Sequence, residues 1–267
     1  MNPKRASKTP LKIITAIQVR LGSKRLPEKA LRDIAGQQLI VRVLERVTRS
    51  KETDVFVVAT AKKDLPILQP IATRFGVLCV GGSEADLIAR YQKVFKKCGG
   101  DALVRIVGDS PLIDPELIDF GIREFRKRFP KISFVSTHLS KKFPQGVNYE
   151  IISREAMLVL DQELKSEDER EAFMLYVSRH PKKFPVYIIK SRQDFSHIRL
   201  SVDYPEDLEL INKIYSHFLS GKNINPNMRQ IISFLKKNPS LIKINNHHID
   251  KTKYPFNLDE RALKKAL

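Results

Sequence analysis

An α/β fold built on a parallel sheet, with helices on both faces, is what this sequence predicts, and three observations carry it. Short β-branched runs alternate with helical segments over the first two-thirds of the chain, the pattern of βαβ units. With 267 residues, of which 42% are hydrophobic, the chain has enough apolar material for one substantial core. Neither an internal repeat nor a low-complexity linker interrupts it.

Taken in order, KIITAIQV (12–19) reads as a buried strand, followed by a polar loop and an amphipathic helix over roughly 37–49. DVFVVAT (54–60) is the second strand, with a helix over roughly 64–75, and GVLCV (76–80) is the third. A helix over 84–98 would place Leu87, Ile88, Tyr91, Val94 and Phe95 on one face, with Ser83 as cap and Asp86 as first-turn acid. DALVRIV (101–107) is the fourth strand, and Asp114-Pro115 opens the next helix as cap and first helical residue. Beyond 132 the spacing changes. ISFVST (132–137) and VNYEIIS (147–153) read as strands, and helices follow at roughly 154–163 and 167–180. FPVYIIK (184–190) and IRLSV (198–202) read as further strands, and two helices fill about 206–236. Residues 1–11 read as a disordered basic N-terminus and 221–267 as a helical extension and tail ending in a short charged helix.

The formal net charge of +18 suggests either a polyanion partner or an anion pocket set in a lysine-rich, solvated surface. Cations are scattered through KKD, FKKC, FRKRF, SKKF, HPKKF and FLKKN, tryptophan is absent and no nucleic-acid motif appears, which favours the second reading. No apolar run reaches membrane-spanning length, and the start lacks an apolar leader core. Cys79 and Cys98 have neither metal-ligand nor CxxC spacing. Together these lead us to expect a cytoplasmic protein with no membrane or nucleic-acid partner.

Ligands of such sheets bind at the carboxyl ends of the strands, so the loops there carry the chemistry. The first, IQVRLGSKRLPEKAL (17–31), holds Arg20, Lys24, Arg25 and Lys29 around Gly22 and Ser23. Backbone N–H groups and several cations suit a triphosphate, although neither a Walker A nor a G-x-G-x-x-G pattern is present; a solvated basic loop explains the composition equally well. The second, VGDSPLIDP (107–115), puts Asp109 past a strand end, where a carboxylate serves either Mg²⁺ or its own turn. Asp114 there is a helix cap. The third, IRLSVDYPEDLELI (198–211), puts Asp203 before a helix opened at Pro205, in reach of Asp109 for a two-carboxylate metal site. Glu206 and Asp207 suit the helix dipole as first-turn acids, and His247 and His248 read as surface residues.

At these loops the sequence resembles the cytidylyltransferase family, nearest its spore-coat polysaccharide (SpsF-type) branch, which is related to acylneuraminate and 3-deoxy-manno-octulosonate cytidylyltransferases. IQVRLGSKRLPEK resembles the family's I-Q-A-R-x-G-S-x-R-L-P-x-K, and GSEADLIARY (82–91) its G-S-E-x-D-x-x-x-R-Y. VRIVGDSPLIDP and IRLSVDYPEDLELI resemble V-R-I-T-G-D-x-P-L-I-D-P and L-R-L-T-V-D-x-P-E-D, so that the likeness spans roughly 12–218.

The resemblance implies a Rossmann-like nucleotidyltransferase sheet over 12–220, with an inserted β-containing lobe at roughly 138–195 through which such proteins often form homodimers. It also implies transfer of CMP from CTP to an acidic sugar with release of pyrophosphate. Arg20, Lys29 and Asp109 would be catalytic. Arg20, Gly22, Ser23, Arg25, Lys29, Ser83, Asp86, Arg90 and Arg105 would surround the nucleotide, and Asp109 and Asp203 would hold Mg²⁺. Asn148, Glu150 and Arg170, within PQGVNYEIIS and EDEREAFMLYV, fall where the family meets the sugar; Glu150 would contact the sugar or a metal, with an edge-strand carboxylate as an equally good plain alternative. The chain departs from the family at Val19, at Glu28 (commonly Gly), at Asn148 (commonly Asp) and at Ala172 (commonly His). The nucleotide half therefore matches better than the sugar half, which points to an altered acceptor or a weakened enzyme. Use of another nucleotide, a glycosyltransferase activity and a degenerate nucleotide-binding homologue stand as alternatives.

Overall fold

β1 (Ile13–Gln18) is buried along nearly its whole length, which marks it as a central strand. The computed structural model describes residues 10–221 and 225–249. After β1, a two-stranded hairpin of β2 (Asp33–Ile34) and β3 (Gln37–Gln38) leads into α1 (Leu39–Val47). Next come β4 (Val55–Ala61), α2 (Leu65–Thr73), β5 (Leu78–Gly82), α3 (Leu87–Cys98), β6 (Ala102–Val107) and α4 (Pro115–Arg128). The second half adds β7 (Phe134–Ser136), β8 (Glu150–Ser153), α5 (Arg154–Glu163), α6 (Glu167–Glu171), α7 (Phe173–Arg179) and β9 (Val186–Ile188). It closes with α8 (Pro205–Leu219), α9 (Met228–Lys237) and α10 (Pro239–Ile242).

Seven strands form one sheet in the order β5-β4-β1-β6-β8-β7-β9. β5, β4, β1 and β6 run parallel; β8 is antiparallel to both β6 and β7, so the sheet is mixed where a parallel one was expected. The reason is connective. β7 leads to β8 through a loop of residues 137–149 that holds only a short 3₁₀ turn, and such a connection returns the chain in the opposite direction. The segment 138–195, expected as an inserted lobe, adds β8 and β9 to this same sheet. One face of the sheet packs against α1, α2, α4, α8 and α9, through residues such as Ile17, Val43, Ile122, Ile214 and Leu235. The other packs against α3, α5 and α7 through Ala16, Tyr91, Phe95, Met157 and Phe173. The five apolar residues expected on one face of the third helix all lie in that second core.

Three details differ from the sequence reading. α3 begins at Leu87, and Asp86, not Ser83, is its N-cap, accepting from the Ala89 N–H; Ser83 Oγ accepts from the Asp86 N–H one turn earlier. The helix expected over 167–180 breaks at Ala172, which lets Phe173 turn into the core. Residues 198–202 form no strand. They make an isolated bridge between Gln145 and Arg199, and Val202 N–H donates to the Asp109 carbonyl at 2.9 Å. Residues 1–9 of the expected N-terminus and the expected charged helix at the end of the tail lie outside the described residues. No described helix is long and apolar enough to cross a membrane.

Candidate active site

The carboxyl ends of β1 and β6 are drawn together by Gly108, whose N–H donates to the Gln18 carbonyl at 2.7 Å. A Cβ at this position would lie 2.8 Å from Val19 Cβ, so only glycine permits the approach. Asp109 follows at once. The bond from Val202 N–H to the Asp109 carbonyl then brings Asp203 beside it, so a backbone stitch makes two acids 94 positions apart into neighbours.

Lys29 joins them. Its Nζ donates to Asp109 Oδ2 at 2.8 Å and to Asp203 Oδ1 at 2.9 Å, with all three side chains 13–16% exposed. Arg25 pairs with Asp203 Oδ1 at 2.7 Å and Arg199 with its Oδ2 at 2.8 Å. Burial works to raise the Asp203 carboxyl, yet Lys29, Arg25 and Arg199 outweigh it and hold the group well below the usual carboxylate range. Burial likewise works against charge on Lys29, and the two carboxylates more than reverse it, raising the ammonium.

Glu28 has φ 52°, a left-handed conformation that explains why glycine is usual in the family pattern at this position. Its side chain is exposed, so the carboxylate stands clear of the pocket. Loop 19–28 is also tied down from behind, where the Leu21 N–H donates to buried Asp64.

Two chambers meet at the acids. The first, about 190 Å³, is lined by Arg20, Arg25, Lys29, Arg90, Asp109 and Asp203, together with Gln18, Glu84 and Glu171. Four cations therefore face four carboxylates. Arg20 reaches across the mouth to Glu171 at 3.2 Å. Arg90, almost fully buried, donates to the carbonyls of Ser83 and Glu84 and so fixes the loop before α3; its desolvation lowers its pKa.

The second chamber, about 230 Å³, is lined by Arg105, Asn148 and Glu150 with Ser110, His138, Gln145 and Ser201, and it shares Val107, Asp109 and Asp203 with the first. Arg105 pairs with Glu150 at 2.9 Å and donates to Gln18 Oε1, which also accepts from the Tyr91 hydroxyl at 2.9 Å. Burial pushes the Tyr91 phenol up to about 12, so it stays a donor. Burial lowers His138, against the opposing pull of Glu150, which favours the neutral ring. Glu150 is 4% exposed and ion-paired, in a strand internal to the sheet, and the edge-strand alternative does not describe it. Gly146 has φ 94°, and a Cβ there would lie 2.3 Å from the Ser201 nitrogen.

Gly22, Ser23, Ser83, Asp86 and Arg170 line neither chamber. The Ser23 N–H closes a tight turn on the Leu21 carbonyl, and Gly22 lies against Glu84. Arg170 pairs with Asp86 at 2.7 Å and with Asp161, and donates to the carbonyls of Asp161 and Leu164, fastening α6 to the starts of α3 and the end of α5.

Reading the loops one at a time missed a buried network behind Asp203. Asp207, fully buried, accepts from Arg199 Nε and Nη2, from the N–H groups of Asp203 and Tyr204, and from Asn245 Nδ2. Asn245 also donates to the Arg199 carbonyl. A first-turn acid was expected at 207; the signal that it was more lay in Arg199, eight residues earlier, a cation within an otherwise apolar run.

The cytidylyltransferase family profile matches residues 14–235. The chain is 28% identical over 235 residues to the spore coat polysaccharide biosynthesis protein SpsF of Bacillus subtilis, covering 85% of this chain and 95% of that one. Over a shorter stretch of 120 residues, 42% of this chain and 45% of its relative, it is 35% identical to the 3-deoxy-manno-octulosonate cytidylyltransferase of Chlorobaculum tepidum. A cytidylyltransferase structure from Leptospira borgpetersenii superposes with a TM-score of 0.83 at 32% identity, covering 87% of this chain and 97% of that one. With the sheet, the acid pair and the basic loop in place, this chain belongs to the cytidylyltransferase family.

Proposed function

We propose that the protein transfers CMP from CTP to a hydroxyl of an acidic sugar and releases pyrophosphate, with Mg²⁺ held by Asp109 and Asp203. The observation that carries this is that two polar chambers share these two carboxylates as their common wall. A nucleotide in the first and a sugar in the second would bring phosphate and hydroxyl together at that wall.

The donor set fits a divalent cation. One oxygen from each acid already converges on a single ammonium group at 2.8 and 2.9 Å, and hard carboxylate oxygens are what Mg²⁺ prefers. The first chamber's four cations are matched by four carboxylates, so its side chains alone bring no net charge to offset a triphosphate. When bound, Mg²⁺ would supply charge neutralisation at the phosphate and make a nearby hydroxyl more acidic.

The chain's own groups do the rest. Lys29, released from the acids, turns its ammonium to the phosphates, and Arg20 and Arg25 at the mouth stabilise charge on the departing pyrophosphate. The sugar oxygen bonds to the α-phosphorus as the bond to pyrophosphate breaks, and the hydroxyl proton passes to solvent water. Gln18, held by Tyr91 and Arg105, keeps the floor between the chambers rigid. Arg105, Asn148 and Gln145 offer donors to an acidic, hydroxyl-rich acceptor. Asn148 and Ala172, where the family pattern has Asp and His, fit an acceptor that differs from those of its relatives.

The test is incubation with CTP, Mg²⁺ and a panel of ulosonic and nonulosonic acids, reading pyrophosphate release. Asp109→Ala should reduce turnover at least about a hundredfold while leaving thermal unfolding of the ligand-free protein close to that of the parent. Silence across the panel, with no stabilisation by CTP over the other triphosphates, would overturn the reading.

A further inference from the structure

Away from the acid pair, the C-terminal segment folds back onto the start of α8. His248 Nε2 lies 3.1 Å from Glu206 Oε2, and the rings of His247 and His248 are 4.0 Å apart. One ligand atom from each of Glu206, His247 and His248 falls within 4.8 Å of the other two, the one such group of three among the described residues. The His248 ring is stacked on Tyr204 at 3.8 Å and 4°, which holds its orientation.

We propose that Glu206, His247 and His248 form a second metal site that takes a divalent transition ion of the zinc class. Two imidazoles and one carboxylate are a borderline-soft set that suits Zn²⁺, Co²⁺ or Ni²⁺ and ranks poorly for Mg²⁺, which takes oxygen. Zinc–ligand bonds of about 2.0–2.1 Å at tetrahedral angles separate ligand atoms by roughly 3.4 Å. The 3.1 Å between His248 and Glu206 is already close to that value, so only exposed His247 must close in. Three protein ligands leave a fourth position for water. The stack on Tyr204 plays the orienting part that an outer contact commonly plays for a metal-bound imidazole.

Occupancy would have a structural consequence. Glu206 belongs to the first turn of α8 and the two histidines to the segment after α10, so an ion between them fastens that segment to the helix. Tyr204, under His248, also lies 5.2 Å from the Arg25 guanidinium and is adjacent to Asp203. Tyr204 thus touches His248 on one side and follows Asp203 in the chain, while the proposed site and the acid pair share no ligand.

The experiment is a titration of the chelator-treated full chain with Co²⁺, read by its visible d–d absorption and followed by Zn²⁺ competition. The parent protein should saturate at one equivalent with the intense bands of a low-coordinate nitrogen–oxygen site, and Zn²⁺ should bleach them while millimolar Mg²⁺ leaves them intact. His247→Ala and Glu206→Gln, both changes at accessible side chains, should each weaken Co²⁺ at least about tenfold. Asp109→Asn should retain the bands, separating this site from the acid pair. Absence of a one-equivalent signal, an unchanged titration in His247→Ala, or loss of the bands in Asp109→Asn would each overturn the proposal.

Discussion

Replacing Asp207 by Asn tests whether the network behind Asp203 holds this part of the molecule together. The substitution keeps the shape and removes the charge. An amide nitrogen at Oδ1 would face two donors, Arg199 Nε and Asn245 Nδ2, and at Oδ2 it would face three. Removing one partner of a buried ion pair costs about 3–5 kcal/mol. Arg199 keeps Asp203 Oδ2 at 2.8 Å, which places the loss at the lower end, about 3 kcal/mol. With a urea slope of about 2 kcal/mol per molar, the unfolding midpoint should fall by roughly 1.5 M. Turnover should fall as well, because Arg199 would then pull on Asp203 alone. The double variant Asp207→Leu with Arg199→Met removes both charges and should regain at least about 1 kcal/mol over Asp207→Leu. A loss under about 1 kcal/mol in Asp207→Asn, or no recovery in the double variant, would refute the assignment.

Asp203 is held below its ordinary range, so its contacts contribute full stability above the unfolded carboxylate value of about 3.9 and lose it as pH falls through the folded value. Melting temperatures measured from neutral pH downward should therefore drop steeply in acid, and Lys29→Met should flatten that drop. Glu28→Gly should raise stability by about 0.5–1 kcal/mol, since the left-handed conformation costs a side chain about 1–2 kcal/mol and glycine's unfolded-state freedom returns part of it; chemical denaturation reads this directly. Gly146→Ala should destabilise by at least about 2 kcal/mol, because its Cβ would press on the Ser201 nitrogen at a positive φ, and it should raise the KM of the acceptor more than that of CTP.

Much of the fold was legible because period and punctuation agree along the first half. β1, β4 and β6 are short runs rich in β-branched residues, and Asp114-Pro115 starts α4 where a cap and a first-turn proline should. The site was legible in part: Asp109 and Asp203 are neighbours, as the second and third loops suggested, whereas the ammonium of Lys29, expected to face phosphate, lies between them. What stayed hidden depends on pairing across long separations. The antiparallel turn of β8 is set by which strand finds β6, and the bridge at Arg199 takes the place of a strand because Gln145 and Asp109 claim its donors and acceptors. Ser83, Asp86 and Arg170 stand in family-like motifs, yet their polar atoms are spent on turns, caps and carbonyls. Gln18 and Tyr91 look like an ordinary strand glutamine and core tyrosine until Gln18 is seen to accept from both Tyr91 and Arg105.

Among the described residues Asn245 comes after every strand and every α-helix, and it supplies the last donor to a carboxylate that already organises residues 199, 203 and 204. During synthesis, a nascent chain that ends at α9 contains Asp109, Asp203 and the whole basic loop after β1, but leaves Asp207 short of a partner. The order of translation thus delays completion of the network behind Asp203 until Asn245 has emerged. Fragments clipped in this late stretch would carry every recognisable motif and still be poor enzymes.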